Sequence, residues 1–330
     1  MRKPHMQKTV SLTRKADSRL SVQLEQLRIF LKRLWASPSA RIGGVLVLIT
    51  IGIGVGVPLL DTEYDAIRDS NLRARYAEPD CIVGWVDSRI SSNPETVPVS
   101  LNEMTCNYPF GADKNGRSVL RRVGHGFSVS LRSAVFAVAI SLTAGATTGL
   151  VAGYMGGWID SLFMRIMDVG LAVPSLLLAI ALVTIFGPSL TNGMIAVAIA
   201  QIPAYARLAR SMSISIRNTE YVIAAQSLGT GSGSIIVNHV FPNSLAPLIV
   251  QSTLGLGTAV IETAALGFLG LGQQPPFPEL GKMLADSQQS LASGKWWVMV
   301  FPGAAIILIV LGFNLLGDGL RDVLDPRLKK

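Results

Sequence analysis

The sequence predicts an all-α membrane protein with six transmembrane helices, as its composition, its apolar blocks and the distribution of its charge all indicate. Of its 330 residues, 49% are hydrophobic and only 15% are charged, whereas about a quarter of a typical soluble domain is charged. The apolar residues fall in blocks of about 18 to 25 residues, each long enough to cross the hydrocarbon core as a helix. We predict spans at 42–60, 128–152, 162–186, 191–212, 245–271 and 298–317.

The placement of charge sets the expected orientation. Residues 1–41 contain ten Lys and Arg against two acidic residues, which accounts for the entire net charge of +8. Since positive charge beside a span marks the cytoplasmic side, this excess indicates an orientation in the lipid bilayer and disfavours a nucleic-acid partner. Six crossings return the chain to its starting side, so we expect both termini in the cytoplasm, with a basic tail at 318–330.

The basic region 1–41 also contains a helical pattern. Five leucines recur there with basic residues between them, as in an amphipathic helix on the membrane surface. They are Leu20, Leu24, Leu27, Leu31 and Leu34. A helix packed on the rest of the protein would give the same pattern. No small-residue cleavage site follows 42–60, so we expect this span to remain as an anchor.

The segment 61–127 is expected to be an extracytoplasmic insertion between the first and second spans. It holds ten acidic residues against eight Lys and Arg, and it contains both cysteines, Cys81 and Cys106. Two cysteines in one exported loop favour a disulfide in an oxidising compartment. Two unpaired buried thiols are the alternative, since two cysteines alone make a poor zinc site.

A cytoplasmic loop at 213–244, between the fourth and fifth spans, carries the most informative motif. It begins Glu220-Tyr-Val-Ile-Ala-Ala-Gln-Ser-Leu-Gly229 and ends at His239-Val-Phe-Pro242. The first part predicts a short helix that Gly229 ends, and Pro242 is expected to change the chain direction where the fifth span begins. A short surface helix with small residues can enter a groove on another protein. The residues of this predicted docking loop are Glu220, Tyr221, Ile223, Ala224, Ala225, Leu228, Gly229, His239 and Pro242.

This loop resembles the EAA loop of ABC importer permeases, whose pattern is E-A-A, three residues, Gly and a later Pro. Ala224, Ala225, Gly229 and Pro242 match that pattern. The resemblance extends from about residue 110 to the C-terminus through further stretches. These are FGADKNGRSVL at 110–120, GYMGG at 153–157, Arg165, Asp168 and Pro174, FLGLG at 268–272, and FNLLGDGLRDVLDP at 313–326. Together they are similar to the "C" subunit of the dipeptide/oligopeptide/nickel permease family.

The resemblance implies a type I ABC importer permease fold with a five-helix core at 128–317. Family members act in the bacterial inner membrane with a second permease subunit, two ATPase subunits and an extracytoplasmic binding protein. The loop at 220–230 would be the coupling helix that docks on an ATPase. ATP and Mg are expected on the ATPase subunits, with no cofactor on this chain, which is not expected to be an enzyme. The sequence accordingly lacks a G-x-x-x-x-G-K-[ST] motif.

The coupling loop departs from the family pattern at Ile223, where relatives usually have the Glu of E-A-A. Gln226, Ser232 and Ser234 likewise stand at positions that are often charged. We therefore expect packing rather than ion pairs to dominate the contact with an ATPase.

Ionisable residues at membrane depth are functional candidates, because burying a charge in lipid is costly. Glu262 lies inside the fifth predicted span, either as a partnered structural carboxylate or as a residue that lines a cavity. Asp168 can reach Arg165 on one helix face, as a structural pair or as part of a translocation path. No catalytic or metal-binding set is predicted.

Two other classes of function fit some of these features. A secondary transporter would show inverted repeats and broken helices at mid-membrane, and no clear internal repeat is visible in the sequence. A membrane-anchored sensor or assembly protein would use the 61–127 segment as its active part. Within the permease interpretation, di- and oligopeptides are the expected substrates, with nickel or another small solute as the alternative.

Overall fold

The computed structural model describes residues 25, 28, 32–60, 72–79 and 108–324, and confirms the all-α fold class. Within these ranges the only β structure is an isolated bridge between Ala112 and Ser118. The helices are α1 (Pro38–Leu60), α2 (Val119–Met155), α3 (Gly157–Ala172), α4 (Ser175–Phe186), α5 (Leu190–Arg217), α6 (Glu220–Ser227), α7 (Ser232–Ile235), α8 (Phe241–Phe268), α9 (Leu280–Ala292) and α10 (Trp297–Leu324). A short 3-10 turn, Leu72–Ala74, precedes α2.

In the described part of the chain, four helices are long and apolar enough to cross a membrane, and five spans result if one bent pair counts as a span. The four are α1, α2, α10 and the continuous helix from Ser232 to Phe268. The bent pair is α3 and α4, whose axes differ by 93°. The predicted third span therefore coincides with a broken helix. Val173 has extended backbone because the following Pro174 disfavours a helical conformation at this position.

The fourth predicted span, 191–212, coincides with α5, which is long enough to cross but more polar than the others. This helix of 28 residues carries Gln201, Arg207 and Arg210. It packs along much of its length on α2, and glycines of α2 allow a very close approach. A Cβ added at Gly149 would lie 2.1 Å from the carbonyl oxygen of Ala206 on α5. Because much of α5 is covered by α2, this helix needs less apolar surface than an isolated span would.

Two boundaries differ from the sequence prediction. Residues 119–127, expected in the extracytoplasmic insertion, belong to α2 instead. Pro242 was expected to change the chain direction, but it lies in the first turn of α8 and the helix continues through it. A five-residue π-helical turn, Ile236–Val240, precedes it. A π-helical turn departs from the ordinary i→i−4 hydrogen-bond pattern, which is the pattern that a proline interrupts by its missing N–H.

Two sequence predictions fall largely on residues outside the described ranges. Cys81 and Cys106 both lie outside them, as does most of the insertion 61–127. Four of the five leucines of the predicted amphipathic helix also lie outside, and only Leu34 is described. The disulfide and the surface helix therefore stay predictions.

The segment before α2 packs on the last helices of the fold. Asp113 accepts hydrogen bonds from the backbone N–H groups of Asn115 and Arg117 at 2.8 and 2.9 Å. Trp297, at the start of α10, donates its indole N–H to the carbonyl oxygen of Ala112 at 3.2 Å. The FGADKNGRS stretch thus forms a compact turn, fixed to the end of the bundle opposite α6.

Glu279 caps the neighbouring helix α9. Its carboxylate accepts hydrogen bonds from the backbone N–H groups of Gly281 and Lys282 at 2.8 and 2.7 Å. Burial raises the pKa of Glu279 to about 7, although these two hydrogen bonds and the charge of Lys282 oppose the shift. The carboxyl group also lies directly against Gly267 of α8, where an added Cβ would meet it. A titratable group therefore joins α9 to the end of α8.

Candidate functional site: an exposed short helix and the polar residues behind it

The predicted docking loop contains a well-formed short helix, α6. Gly229 has a φ of +80°, and its N–H donates to the carbonyl oxygen of Gln226 at 2.9 Å. The N–H of Thr230 donates to the carbonyl oxygen of Ala225 at 3.1 Å. These two bonds form the Schellman arrangement, in which glycine is favoured because its left-handed backbone has no Cβ penalty. The predicted helix end at Gly229 is confirmed.

One residue of α6 is fully buried, and most of its other side chains are exposed. Val222 is fully buried in an apolar cluster with Tyr154, Ile216 and Ile235. Much of the remaining surface is small or apolar: Ala224 is exposed, and Tyr221, Ile223 and Leu228 are exposed by 46, 50 and 86%. The uncharged polar residues Gln226 and Ser227 are exposed beside them. The single acidic side chain on this surface is Glu220, in the first turn. Chemically, the surface can pack into an apolar groove and offers little for ion pairing.

The later residues of the predicted loop lie against the same helix. The ring of His239 is 6.0 Å from the ring of Tyr221, between centroids. The His239 carbonyl oxygen accepts a hydrogen bond from Asn243 Nδ2 at 2.6 Å. His239 thus belongs to the helical turn that supports α6, and the structure brings it together with Tyr221. Pro242 lies one turn further on, in α8.

Sequence reasoning missed the residue that fixes α6 to the bundle, Tyr154. Gln226 Nε2 donates a hydrogen bond to the Tyr154 hydroxyl at 3.0 Å. Arg217 Nη1 donates to the carbonyl oxygen of Tyr154 at 2.8 Å, and the guanidinium lies 5.9 Å from the centre of the tyrosine ring. The signal that could have found this contact was the GYMGG stretch, which contains Tyr154. The sequence indicates only that Gln226 is uncharged at an often charged position, whereas in the structure its side chain donates an intramolecular hydrogen bond.

Glu262 lies on the helix of the fifth predicted span, among polar partners from two other helices. It is buried and accepts hydrogen bonds from the Ser175 hydroxyl at 2.6 Å and from Gln201 Nε2 at 2.9 Å. Ser175 is the first residue of α4, directly after the bend. The second amide atom, Gln201 Oε1, is buried without a hydrogen-bond partner. The partnered arrangement agrees with the structural role considered for Glu262.

Asp168 pairs with a different residue from the one expected. The sequence suggested Arg165 on the same helix, but Asp168 Oδ1 lies 2.7 Å from Arg207 Nη2 on α5. A second ion pair joins the same helices, with Arg210 donating to both carboxylate oxygens of Asp160 at 2.5 and 2.7 Å. Spacing along α3 predicted the wrong partner for Asp168, because α5 presents Arg207 and Arg210 to the acidic residues of α3. The two pairs hold α3, which has no buried residue, against the bundle.

Comparison with known proteins supports a transport role for this architecture. A family model described as "Binding-protein-dependent transport system inner membrane component" matches residues 145–330, which include α6 and the Glu262 cluster. A dipeptide transport system permease protein from Alkalihalophilus pseudofirmus is 54% identical over 72% of this chain and 79% of its own length. A di/tripeptide transport system permease protein from Pseudomonas aeruginosa is 47% identical over 71% of this chain and 77% of its own length. A glutathione transport system permease protein from Pectobacterium atrosepticum is 44% identical over 66% of this chain and 72% of its own length.

Proposed function

The chain belongs to the family of binding-protein-dependent transport system inner membrane components, and from this premise we propose that it is a permease subunit of an ATP-driven importer of short peptides. It is a multi-pass protein of the inner membrane. The names of its relatives, which transport dipeptides, di- and tripeptides or glutathione, support short peptides and peptide-like solutes as its substrates.

One observation carries the mechanism: the exposed apolar face of α6 on a helix anchored by Val222. A partner that covers this face can push on the bundle, because the helix is bonded to α2 through Tyr154. The partner in this proposal is one of two ATPase subunits, which bind ATP and Mg and hydrolyse the nucleotide. The permease chain itself catalyses no reaction. With Ile223 in place of an acidic residue, packing provides most of the contact energy at this site.

The translocation path in this proposal runs between this chain and a second, homologous permease subunit. An extracytoplasmic binding protein delivers the peptide, and ATP binding and hydrolysis switch the path from one side to the other. The surface available to the second subunit includes α3, whose apolar side chains Trp158, Ile166 and Val169 are exposed by 74, 55 and 72%. The bend between α3 and α4 gives that surface a change in direction within the membrane.

The proposed orientation places both termini and α6 in the cytoplasm and the segment 61–118 outside. Enzymatic reporter fusions after residues 100 and 230 test it, since the two positions fall on opposite sides. Opposite compartment signals support the arrangement. Signals from the same compartment at both positions would contradict it.

The function itself is tested by reconstitution. The chain is co-expressed with the second permease subunit, the ATPases and the binding protein of the proposed importer, and the complex is placed in proteoliposomes. We expect ATP-dependent uptake of labelled dialanine that requires the binding protein and is competed by other dipeptides. Uptake of Ni²⁺ without any dipeptide uptake would identify the substrate class as wrong, and uptake without ATP or an ATPase would contradict the importer mechanism.

A further inference from the structure

We infer that Tyr154 is the positioning residue that joins the docking helix α6 to α2, so that α6, α2 and α5 move as one body. This inference rests on the proposed function and assigns to Tyr154 a role in coupling rather than only in folding. Tyr154 lies at the cytoplasmic end of α2, one residue before the helix ends at Met155. Its side chain is buried, with 6% of its surface exposed.

Tyr154 connects three segments through different parts of the same residue. Its hydroxyl accepts from Gln226 on α6, and its carbonyl oxygen accepts from Arg217 at the end of α5. Its ring packs in the apolar cluster that contains Val222. A displacement of α6 therefore acts on the last turn of α2 and on the last residue of α5 at the same point.

The contact between α2 and α5 is too close for the two helices to slide independently. An added Cβ at Gly145, Gly149 or Gly153 would lie 2.1 to 2.7 Å from a backbone oxygen of α5, which is closer than an ordinary van der Waals contact. Two side chains also bond across the interface, Ser213 to the Leu150 carbonyl oxygen and Ser141 to the Ala198 carbonyl oxygen, both at 2.9 Å. Interlocked backbones with shared hydrogen bonds transmit a displacement as a rigid pair.

The far end of α2 reaches the opposite face of the bundle. This helix has 37 residues, which corresponds to about 55 Å at 1.5 Å per residue. Near that end, Arg122 Nε lies 3.6 Å from Asp113 Oδ2, and Asp113 fixes the turn before α2. A displacement of the Tyr154 end of α2 would therefore also move the outer turn that contains Asp113.

The experiment measures uptake per ATP hydrolysed in the reconstituted complex, together with ATPase co-purification and the melting temperature. Tyr154→Phe removes only the hydroxyl, and Gln226→Leu removes its donor from a more exposed position. Because one hydrogen bond is lost in each case, we expect uptake of labelled dialanine per ATP to fall about two- to tenfold in each variant. The double variant should fall no further than either single variant, and the ATPase should still co-purify.

Two further variants separate coupling from folding. Gln226→Glu can accept a hydrogen bond from the Tyr154 hydroxyl, so it should recover coupling relative to Gln226→Leu, but not when combined with Tyr154→Phe. Tyr76→Phe is the matched control, since it removes a tyrosine hydroxyl that lies 3.1 Å from Ser290 Oγ on the outer face. We expect its uptake per ATP to match the wild type.

Other outcomes overturn the inference. Wild-type coupling in Tyr154→Phe, losses that multiply in the double variant, or an equal loss in Tyr76→Phe would each show that the Tyr154–Gln226 contact does not position α6. If Ala224→Trp reduces coupling while Tyr154→Phe does not, the proposed function stands and this inference alone fails. A wild-type complex that shows no ATP-dependent uptake would overturn both.

Discussion

Glu262 on α8 accepts a hydrogen bond of 2.6 Å from the hydroxyl of Ser175, the first residue of α4. This hydrogen bond joins α8 to the bend between α3 and α4, so a buried carboxylate fixes the start of α4. Gln201 of α5 donates to the other carboxylate oxygen at 2.9 Å. Three helices thus meet at one acidic side chain beside the bend between α3 and α4.

Removal of this carboxylate should destabilise the subunit. In Glu262→Ala, the Ser175 hydroxyl and the Gln201 amide lose their acceptor. An unsatisfied buried group costs about 1–3 kcal/mol, which applies in full to the buried Gln201 and less to the half-buried Ser175. We expect a clearly lower melting temperature for the solubilised subunit. Glu262→Gln keeps an acceptor for Ser175 and should be affected less. Equal melting temperatures for wild type and Glu262→Ala would mean that the cluster does not hold the bend.

A glycine-to-alanine pair tests the close contact between α2 and α5. In Gly149→Ala the new Cβ would lie 2.1 Å from the Ala206 carbonyl oxygen, so the helices must separate, and overpacking of this kind costs about 1–3 kcal/mol. Gly44→Ala on α1 is the control, because no atom lies within 4 Å of its added Cβ. Alanine is also favoured over glycine inside a helix by about 0.5–1 kcal/mol. We expect the melting temperature to fall for Gly149→Ala and to hold or rise for Gly44→Ala, and the reverse order would refute the packing described.

The sequence predicted the helices of the fold well, because the length of an apolar block is a local property. Helices occur at each of the six predicted spans, and Gly229 ends α6 as expected. The bend before Ser175 and the polarity of α5 depend on what packs against them. The partners of Glu262, Asp168 and Gln226 lie 87, 39 and 72 residues away in the chain. Pairings at such separations follow from the tertiary fold, which hydrophobic periodicity does not encode.

The left-handed backbone at Gly229 gives a prediction with an internal control. Any side chain at a φ of +80° costs about 1–2 kcal/mol, so Gly229→Val should fray the end of α6 and weaken ATPase co-purification. Gly231→Val is the control, since Gly231 has a φ of −66° and neither glycine has an atom within 4 Å of an added Cβ. Similar losses in both variants would show that side-chain size, not backbone conformation, is responsible.

Stability should depend on pH through Glu279. Its pKa is raised to about 7 in the folded protein, above the ordinary value, so protonation stabilises the fold. This contribution is complete at pH 4, where the carboxyl is protonated in both states, and is lost as pH rises through about 7. We expect the melting temperature of the solubilised subunit to fall between about pH 5 and 7 and to level off above that range, and Glu279→Gln to remove that part of the dependence. A Glu279→Gln profile identical to the wild-type profile would contradict this assignment.

A large side chain at Ala224 tests whether the apolar face of α6 docks on an ATPase subunit, as proposed. Ala224 is exposed in this subunit, so a larger side chain should leave insertion and melting temperature unchanged while it opens the packed contact in the complex, at about 1–3 kcal/mol. Ile223→Ala should also weaken the complex, and added salt should matter little. Ala292→Trp, at an exposed alanine on α9, is the matched control and should retain the ATPase.

The decisive measurement is ATPase co-purification with Ala224→Trp, followed by dipeptide uptake from the same preparation. We expect Ala224→Trp to give an intact subunit that has lost most of its ATPase and its uptake, and the Ala292→Trp control to keep both. Normal co-purification and uptake with Ala224→Trp, or loss of the wild-type ATPase in modest salt, would contradict docking through this apolar face.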